Sequence, residues 1–330
     1  MTIQLKKTAV ITVLIFIAVV FLSGCIQTPE IKQVEQKQPE ITKQTTKPKI
    51  TIAIQPTQQA DEIMPQAKEL EKFLESRVNA DIEVRVPMSY SAVVESLRFG
   101  HAQVGLMSAW PAAASANLAG SDVVLAEVRE VIIDGRKTNE TFYYSYYIVM
   151  KNSSYTKLED LKGKRVVYAS LTSTSGYLFP VAKLVENGLI SRPAPGKEAD
   201  PKEFFGTVAT PGGYGPAWDA LKREHADVGV IAGDVSDRLF KEVMDNTRVI
   251  ETQGPIPSHG VVFSKSLEEP LRSELINAFM ELDKPEQRDM MRKLVSAIFT
   301  GFKRTSNEEH LAGLSGALNS TGYKFTEKLG

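Results

Sequence analysis

From residue 50 onward the chain alternates short β-branched runs with stretches of helical periodicity, in two successive series. The run ITIAIQ at 50–55 reads as a strand, and 61–78 repeats apolar residues at helical spacing through Ile63, Met64, Ala67, Leu70, Phe73 and Leu74. Strands at 81–87, 103–107 and 122–131, with helices at 89–99 and 112–118, complete the first series. A long aromatic strand at 143–151 (YYSYYIVMK) separates it from the second. That series has strands at 165–169, 204–209, 227–232 and 248–252, and helices at 173–189, 214–225 and 237–244. A strand at 260–263 and helices at 270–282, 286–299 and 307–318 finish the chain. Such alternation builds sheets with helices on both faces. The expected fold is α/β with two lobes, each a mixed, mainly parallel sheet flanked by helices, and two crossing strands as the hinge. Lobe one is expected to take 50–145 and 257–330, with the last helices packed on it, and lobe two 146–256. A ligand in such a fold sits between the lobes, at strand carboxyl ends and helix N-termini.

The first 49 residues stand outside this pattern. Lys6 and Lys7 precede an apolar run of about 14 residues, AVITVLIFIAVVFL at 9–22. That is shorter than the roughly 20 residues a membrane-spanning helix needs and suits the apolar core of a signal peptide. Leu22-Ser23-Gly24-Cys25 follows and resembles a lipobox, with two small residues that fit a peptidase cleft and a thiol for lipid attachment. The other reading is an uncleaved anchor with an incidental cysteine. Cys25 is the single cysteine among 330 residues, so no internal disulfide and no cysteine-rich zinc site is available. Residues 26–49 are mostly Gln, Lys, Thr, Glu and Pro and lack the apolar surface to offset ordering entropy. Residues 1–24 therefore read as a lipoprotein signal peptide and 25–49 as a lipidated cysteine and flexible tether. The folded part is expected on the extracytoplasmic face of the cell membrane, held by the lipid.

The segment ASLTSTSGYLFP at 169–180 carries the chemistry. Hydroxyl residues and a glycine lie between a buried strand and the body of a helix. A helix start leaves about four backbone N–H groups unpaired and carries roughly half a positive charge. With Ser and Thr hydroxyls added, the result is an anion pocket with many donors and no fixed cation. Helix capping alone is the competing reading, but one hydroxyl suffices for that. A net charge of −1 leaves no basic footprint for nucleic acid. The four histidines, His101, His225, His259 and His310, do not form a zincin spacing, and no Walker A or nucleophile-elbow sequence occurs. The glycine-rich loop 211–215 is either a plain turn or a place where backbone approaches a ligand. No acid–base pair for turnover is evident, so no catalysis, cofactor or metal is expected. Asn139, Asn152 and Asn319 begin glycosylation sequons, relevant where a host glycosylates exported proteins.

Residues 50–325 as a whole resemble the phosphate/phosphite/phosphonate-binding proteins of ABC importers, which have a type II periplasmic-binding-protein fold. The resemblance rests on Asp160-Leu161-Lys162-Gly163-Lys164 leading into a strand and on Ser173-Thr174-Ser175-Gly176-Tyr177-Leu178 with Pro180. Tyr90 followed by Glu95-Ser96-Leu97-Arg98-Phe99-Gly100, then Tyr143-Tyr144-Ser145 and Ile256-Pro257, continue it in order. It implies that Ser173, Thr174, Ser175 and their helix N–H groups hold phosphonate oxygens, and that Tyr90 and Tyr143, with Ser145, close over the ligand. Ordinary packing is the other reading for both tyrosines.

Two departures bear on the ligand. Aminophosphonate-binding members carry a histidine after a Gly-Ser pair; here Gly212-Gly213-Tyr214 stands in its place, so a tyrosine hydroxyl substitutes. Those members also carry acids for the ligand amine, one just after the Ile-Pro pair, where this chain has Ser258-His259. Asp234 is a loosely aligned candidate for a second acid. Without its acidic partner a buried ammonium is costly, so phosphite, phosphate or a small alkylphosphonate is expected over 2-aminoethylphosphonate. His259 reads either as an anion donor or as a structural histidine, and Trp110 either as cleft lining or as core. The expected function is a monomeric, lipid-anchored solute-binding protein that hands a tetrahedral oxyanion to a membrane permease. The alternative is a ligand-sensing lipoprotein that feeds a signalling partner.

Overall fold

The computed structural model describes residues 47–56 and 60–325; the expected signal peptide, Cys25 and the tether up to residue 46 lie outside them. The strands are β1 (Lys49–Ile54), β2 (Asp81–Arg85), β3 (Val104–Met107), β4 (Asp122–Ile133), β5 (Arg136–Glu140), β6 (Phe142–Met150), β7 (Arg165–Val167), β8 (Thr207–Ala209), β9 (Val228–Ala232), β10 (Thr247–Pro257), β11 (Gly260–Phe263) and β12 (Phe299–Arg304). They form two sheets. The first runs β12-β4-β11-β3-β1-β2, with β5 paired to β4, and the second runs β10-β6-β9-β7-β8. The helices are α1 (Ala60–Glu75), α2 (Tyr90–Arg98), α3 (Ala109–Ala119), α4 (Phe179–Glu186), α5 (Tyr214–Lys222), α6 (Asp237–Asn246), α7 (Leu271–Met280), α8 (Pro285–Leu294), α9 (Asn307–Leu311) and α10 (Ser315–Thr321).

The sheets are mixed, as expected, but not mainly parallel. Parallel pairing is confined to β1 with β2 and β3, and to β7 with β8 and β9. The other pairs are antiparallel, because β4, β6, β10 and β11 carry the chain out of one sheet and back from the other. Two strands escaped the sequence reading. β5 is the return arm of a tight hairpin, with Asp134 and Gly135 at positive φ (50° and 77°), as a two-residue hairpin turn requires. β12 overlaps the helix expected at 286–299 only at Phe299, and 300–304 carries no expected element; Phe299 and Phe302 are buried there, and the segment pairs with the outer edge of β4.

The chain crosses between sheets at Thr141 and again at Ser258–His259. The Ser258 N–H donates to the Thr141 carbonyl at 2.9 Å, so the two crossings are tied side by side. Around the first sheet, Ile52, Leu106, Leu125 and Phe263 pack with Ile63 and Leu70 of α1 and with Phe279 and Met291 of α7 and α8. Each such fully buried aliphatic or aromatic side chain contributes about 1.5–3 kcal/mol. The second sheet buries Ile148, Val167 and Ile231 against Trp218 and Leu221 of α5. The last helix departs from expectation: α10 packs against α4, which serves the second sheet. Just past α10, Tyr323 stacks between Trp110 (6.0 Å between ring centres, 17° apart) and Tyr177 (5.4 Å, 14°). That aromatic burial draws the C-terminus across the lobes. Among the described residues, no helix is long and apolar enough to cross a membrane.

Candidate functional site

The hydroxyl run lies where β7 ends. Residues Thr174–Leu178 wind as one π-helical turn that leads directly into α4. Ser173 caps this turn, its Oγ accepting from the Gly176 N–H at 2.9 Å. The alanine of the strand end lies so close that a Cβ on Gly176 would meet Ala169 Cβ at 2.6 Å, Ser173 Oγ at 2.8 Å and Tyr214 Oη at 3.0 Å. Only a glycine fits there, and the tight approach brings Ser173, Ser175 and Tyr214 to one wall.

Ser175 is the hub of that wall. Its Oγ accepts from the Tyr143 hydroxyl at 2.7 Å and shares a hydrogen bond with Tyr214 Oη at 2.7 Å. Three hydroxyl protons serve two bonds, so one O–H remains for a ligand whichever way the chain of bonds runs. All three side chains are buried, and burial raises both phenols above their ordinary range, so they stay protonated donors.

The facing wall comes from the first sheet. Gln55 and Ser108 stand at the carboxyl ends of β1 and β3, and Gln55 Oε1 accepts from both the N–H and the hydroxyl of Ser108, each at 3.0 Å. The Tyr90 hydroxyl, at the start of α2, is buried beside Gln55 and Ser173, and burial raises it above its ordinary range. Together Gln55, Tyr90, Ser108, Ser173, Ser175, Tyr214, Asp234, Val235 and His259 enclose a cavity of about 20 Å³. That is room for roughly one water molecule.

Asp234, just past β9, is the one carboxylate on this wall. Behind it lies a buried charge cluster: the Arg129 guanidinium donates to Glu127 Oε2 at 2.8 and 3.1 Å and stands 3.0 Å from Asp234 Oδ2. Burial pushes both carboxyls above the usual range, and the Arg129 guanidinium beside them opposes that rise. Burial opposes the charge on Arg129, but Asp234 and Glu127 outweigh it and hold the guanidinium protonated. His259 lies 3.7 Å from both Glu127 Oε1 and Asp234 Oδ2, too far for hydrogen bonds. Burial, then Arg129, then His310 keep it neutral, well below the ordinary histidine range.

The structure thus brings Tyr90, Ser173, Ser175, Tyr214, Asp234 and His259 together. Other expected residues sit elsewhere. Thr174 Oγ1 accepts from the Trp110 backbone N–H at 2.9 Å and joins the lobes rather than lining the cavity. Tyr143 reaches the cavity only through Ser175, and its ring lies 4.2 Å from the Arg129 guanidinium carbon. Ser145 donates to Gln253 inside the second sheet at 3.1 Å. Trp110 is core, stacked on Tyr323 and edge-on to Phe325. Gln55 and Ser108 were missed; each is the first polar residue after an apolar strand, where ligand groups gather in such folds. Glu127 and Arg129 were missed too, although they share their strand face with Leu125 and Val131. Among the described residues, no group of three or more His, Cys, Asp or Glu side chains could hold a metal ion.

The family model described as "ABC transporter, phosphonate, periplasmic substrate-binding protein" matches residues 52–310. The chain belongs to this family of periplasmic phosphonate-binding proteins. A phosphate-import protein of Mycolicibacterium smegmatis is 25% identical over 192 residues, 58% of this chain and 57% of that protein's length. Among solved structures, the binding component of an ABC phosphonate transporter from Pseudomonas aeruginosa superposes with a TM-score of 0.67 at 17% identity, covering 86% of this chain and 92% of that one. A Prochlorococcus marinus protein crystallised with methylphosphonate gives 0.65 at 14% identity, covering 82% and 97%. The two-sheet architecture of this chain is shared with these solved structures.

Proposed function

We propose that the cavity between the sheets binds a small tetrahedral phosphorus oxyanion in a partly protonated form and that the closed protein delivers it to an ABC permease. The observation that carries this is the lining itself: neutral hydroxyl, amide and imidazole groups and one carboxylate, with no cation on the wall. Ser173, Tyr90 and the one free O–H of the Ser175–Tyr214 pair supply donors for ligand oxygens. Asp234 is an acceptor, so the ligand oxygen that meets it carries a proton. A fully ionised dianion would bring no proton to that acceptor. The M. smegmatis relative imports phosphate and the P. marinus structure holds methylphosphonate, which favours this ligand class. The small cavity means that the lobes part to admit the anion and close on it. This is a binding cycle without turnover, in a monomer.

Calorimetric titration of residues 47–330 with phosphate, phosphite, methylphosphonate and sulfate tests the ligand class. At least one phosphorus oxyanion is expected to bind and to raise Tm by mass action; a protein silent to all of them would refute the reading. Cys25 is proposed as the lipid attachment site after cleavage at Gly24. Cys25→Ser is expected to move the full-length protein from the membrane to the soluble fraction, and unchanged membrane association would refute the anchor.

A further inference from the structure

Arg129 is fully buried, yet no ligand donor or acceptor is needed to explain its place. It sits on β4 of the first sheet, and Asp234 follows β9 of the second. Their 3.0 Å ion pair therefore spans the two lobes. The guanidinium is anchored on its own strand by Glu127 and lies over the ring of Tyr143, whose hydroxyl holds Ser175. Nη1 makes no well-aligned hydrogen bond, so its hold on Asp234 is chiefly Coulombic. One cation thus touches the single carboxylate of the cavity from behind and supports the hydroxyl hub from the side.

Building on the proposed oxyanion site, we propose that Arg129 is a specificity-determining positioning residue: it serves as a built-in counter-ion to Asp234, so that the site accepts phosphorus oxyanions and discriminates against those that carry an ammonium group. A ligand ammonium could reach Asp234 only by approaching a fixed guanidinium that already occupies that carboxylate. Like charges at such separations in a buried site are costly. An uncharged alkyl group meets no such opposition. Arg129 does not touch the ligand; it acts through Asp234 and through Tyr143.

The test compares two ligands of matched size, ethylphosphonate and 2-aminoethylphosphonate, by calorimetry on wild type, Arg129→Lys and Arg129→Met, with circular dichroism to verify folding. Wild type is expected to prefer ethylphosphonate by at least tenfold. Arg129→Lys, which keeps the charge, should retain most of that preference. Arg129→Met should weaken ethylphosphonate binding and narrow the preference at least tenfold. An unchanged ratio in a folded Arg129→Met variant overturns the proposal, as does a collapse of the ratio in Arg129→Lys as complete as in Arg129→Met. If Arg129→Met does not fold, the wild-type comparison still decides: equal or tighter binding of 2-aminoethylphosphonate overturns the proposal. Failure of wild type to bind any phosphorus oxyanion refutes the oxyanion site itself and is a separate outcome.

Discussion

Ser175→Ala removes one oxygen, and the structure says what that oxygen supports. Its Oγ is the partner of the Tyr143 and Tyr214 hydroxyls, both at 2.7 Å and both buried. Losing a buried partner leaves each phenol with a desolvation penalty of about 1–3 kcal/mol. The cavity has room for roughly one water, which can rehydrate one of the two. The expected cost to the ligand-free domain is therefore about 2 kcal/mol. For a domain of this size that lowers Tm by roughly 4–8 °C. Binding suffers separately, because the anion loses the Ser175 hydroxyl from the wall and the hydrogen bond that holds the Tyr214 hydroxyl in place beside it. A hydrogen bond to a charged group contributes about 1.5–3 kcal/mol, so affinity for phosphate or methylphosphonate should fall by roughly 10–100-fold. Differential scanning fluorimetry reads the first effect and calorimetry the second. Ser175→Thr keeps the hydroxyl and should retain more of both. If Ser175→Ala keeps both its Tm and its affinity, Ser175 is not the hub and the wall has been placed wrongly.

Three further outcomes follow from the same geometry. Gly176→Ala forces a methyl group against Ala169, Ser173 and Tyr214; about 1–3 kcal/mol of overpacking and a loss of anion affinity are expected, read by Tm and titration. Tyr90→Phe deletes a buried hydroxyl from the cavity wall and should weaken the anion by about tenfold with little change in fold. His310 donates from Nε2 to the Ser258 carbonyl at 3.0 Å, and burial lowers it from 6.5 to about 4. Between those values the unfolded chain holds the extra proton, so stability is lost as pH falls from about 6.5 toward 4, by about 3 kcal/mol from this group alone. A plot of Tm against pH should be flatter over that range in His310→Gln; parallel curves would refute the assignment.

Much of the site was legible because its determinants are local. The apolar run ending at Ala169, the hydroxyl cluster and Gly176 describe a capped helix start, and capping is decided by residues within one turn of each other. Tyr214 likewise stands at the start of a helix whose periodicity is plain. What local pattern could not supply was pairing. β12 has helix-compatible neighbours before it and becomes a strand because the edge of β4 is open to it. Thr174 belongs to the hydroxyl run by sequence, yet its oxygen is taken by the Trp110 N–H from the other lobe.

The sequence by itself determined the two α/β series, the crossing segments and the donor-rich helix start, since periodicity and capping depend on near neighbours. Only the tertiary structure decided that Gln55 and Ser108 close the cavity, that α10 crosses to α4, and that Arg129 neutralises Asp234 from the opposite lobe. The physical reason is range: a buried charge is tolerable only beside its counter-charge, and that counter-charge is brought near by the meeting of two sheets, not by any spacing along the chain.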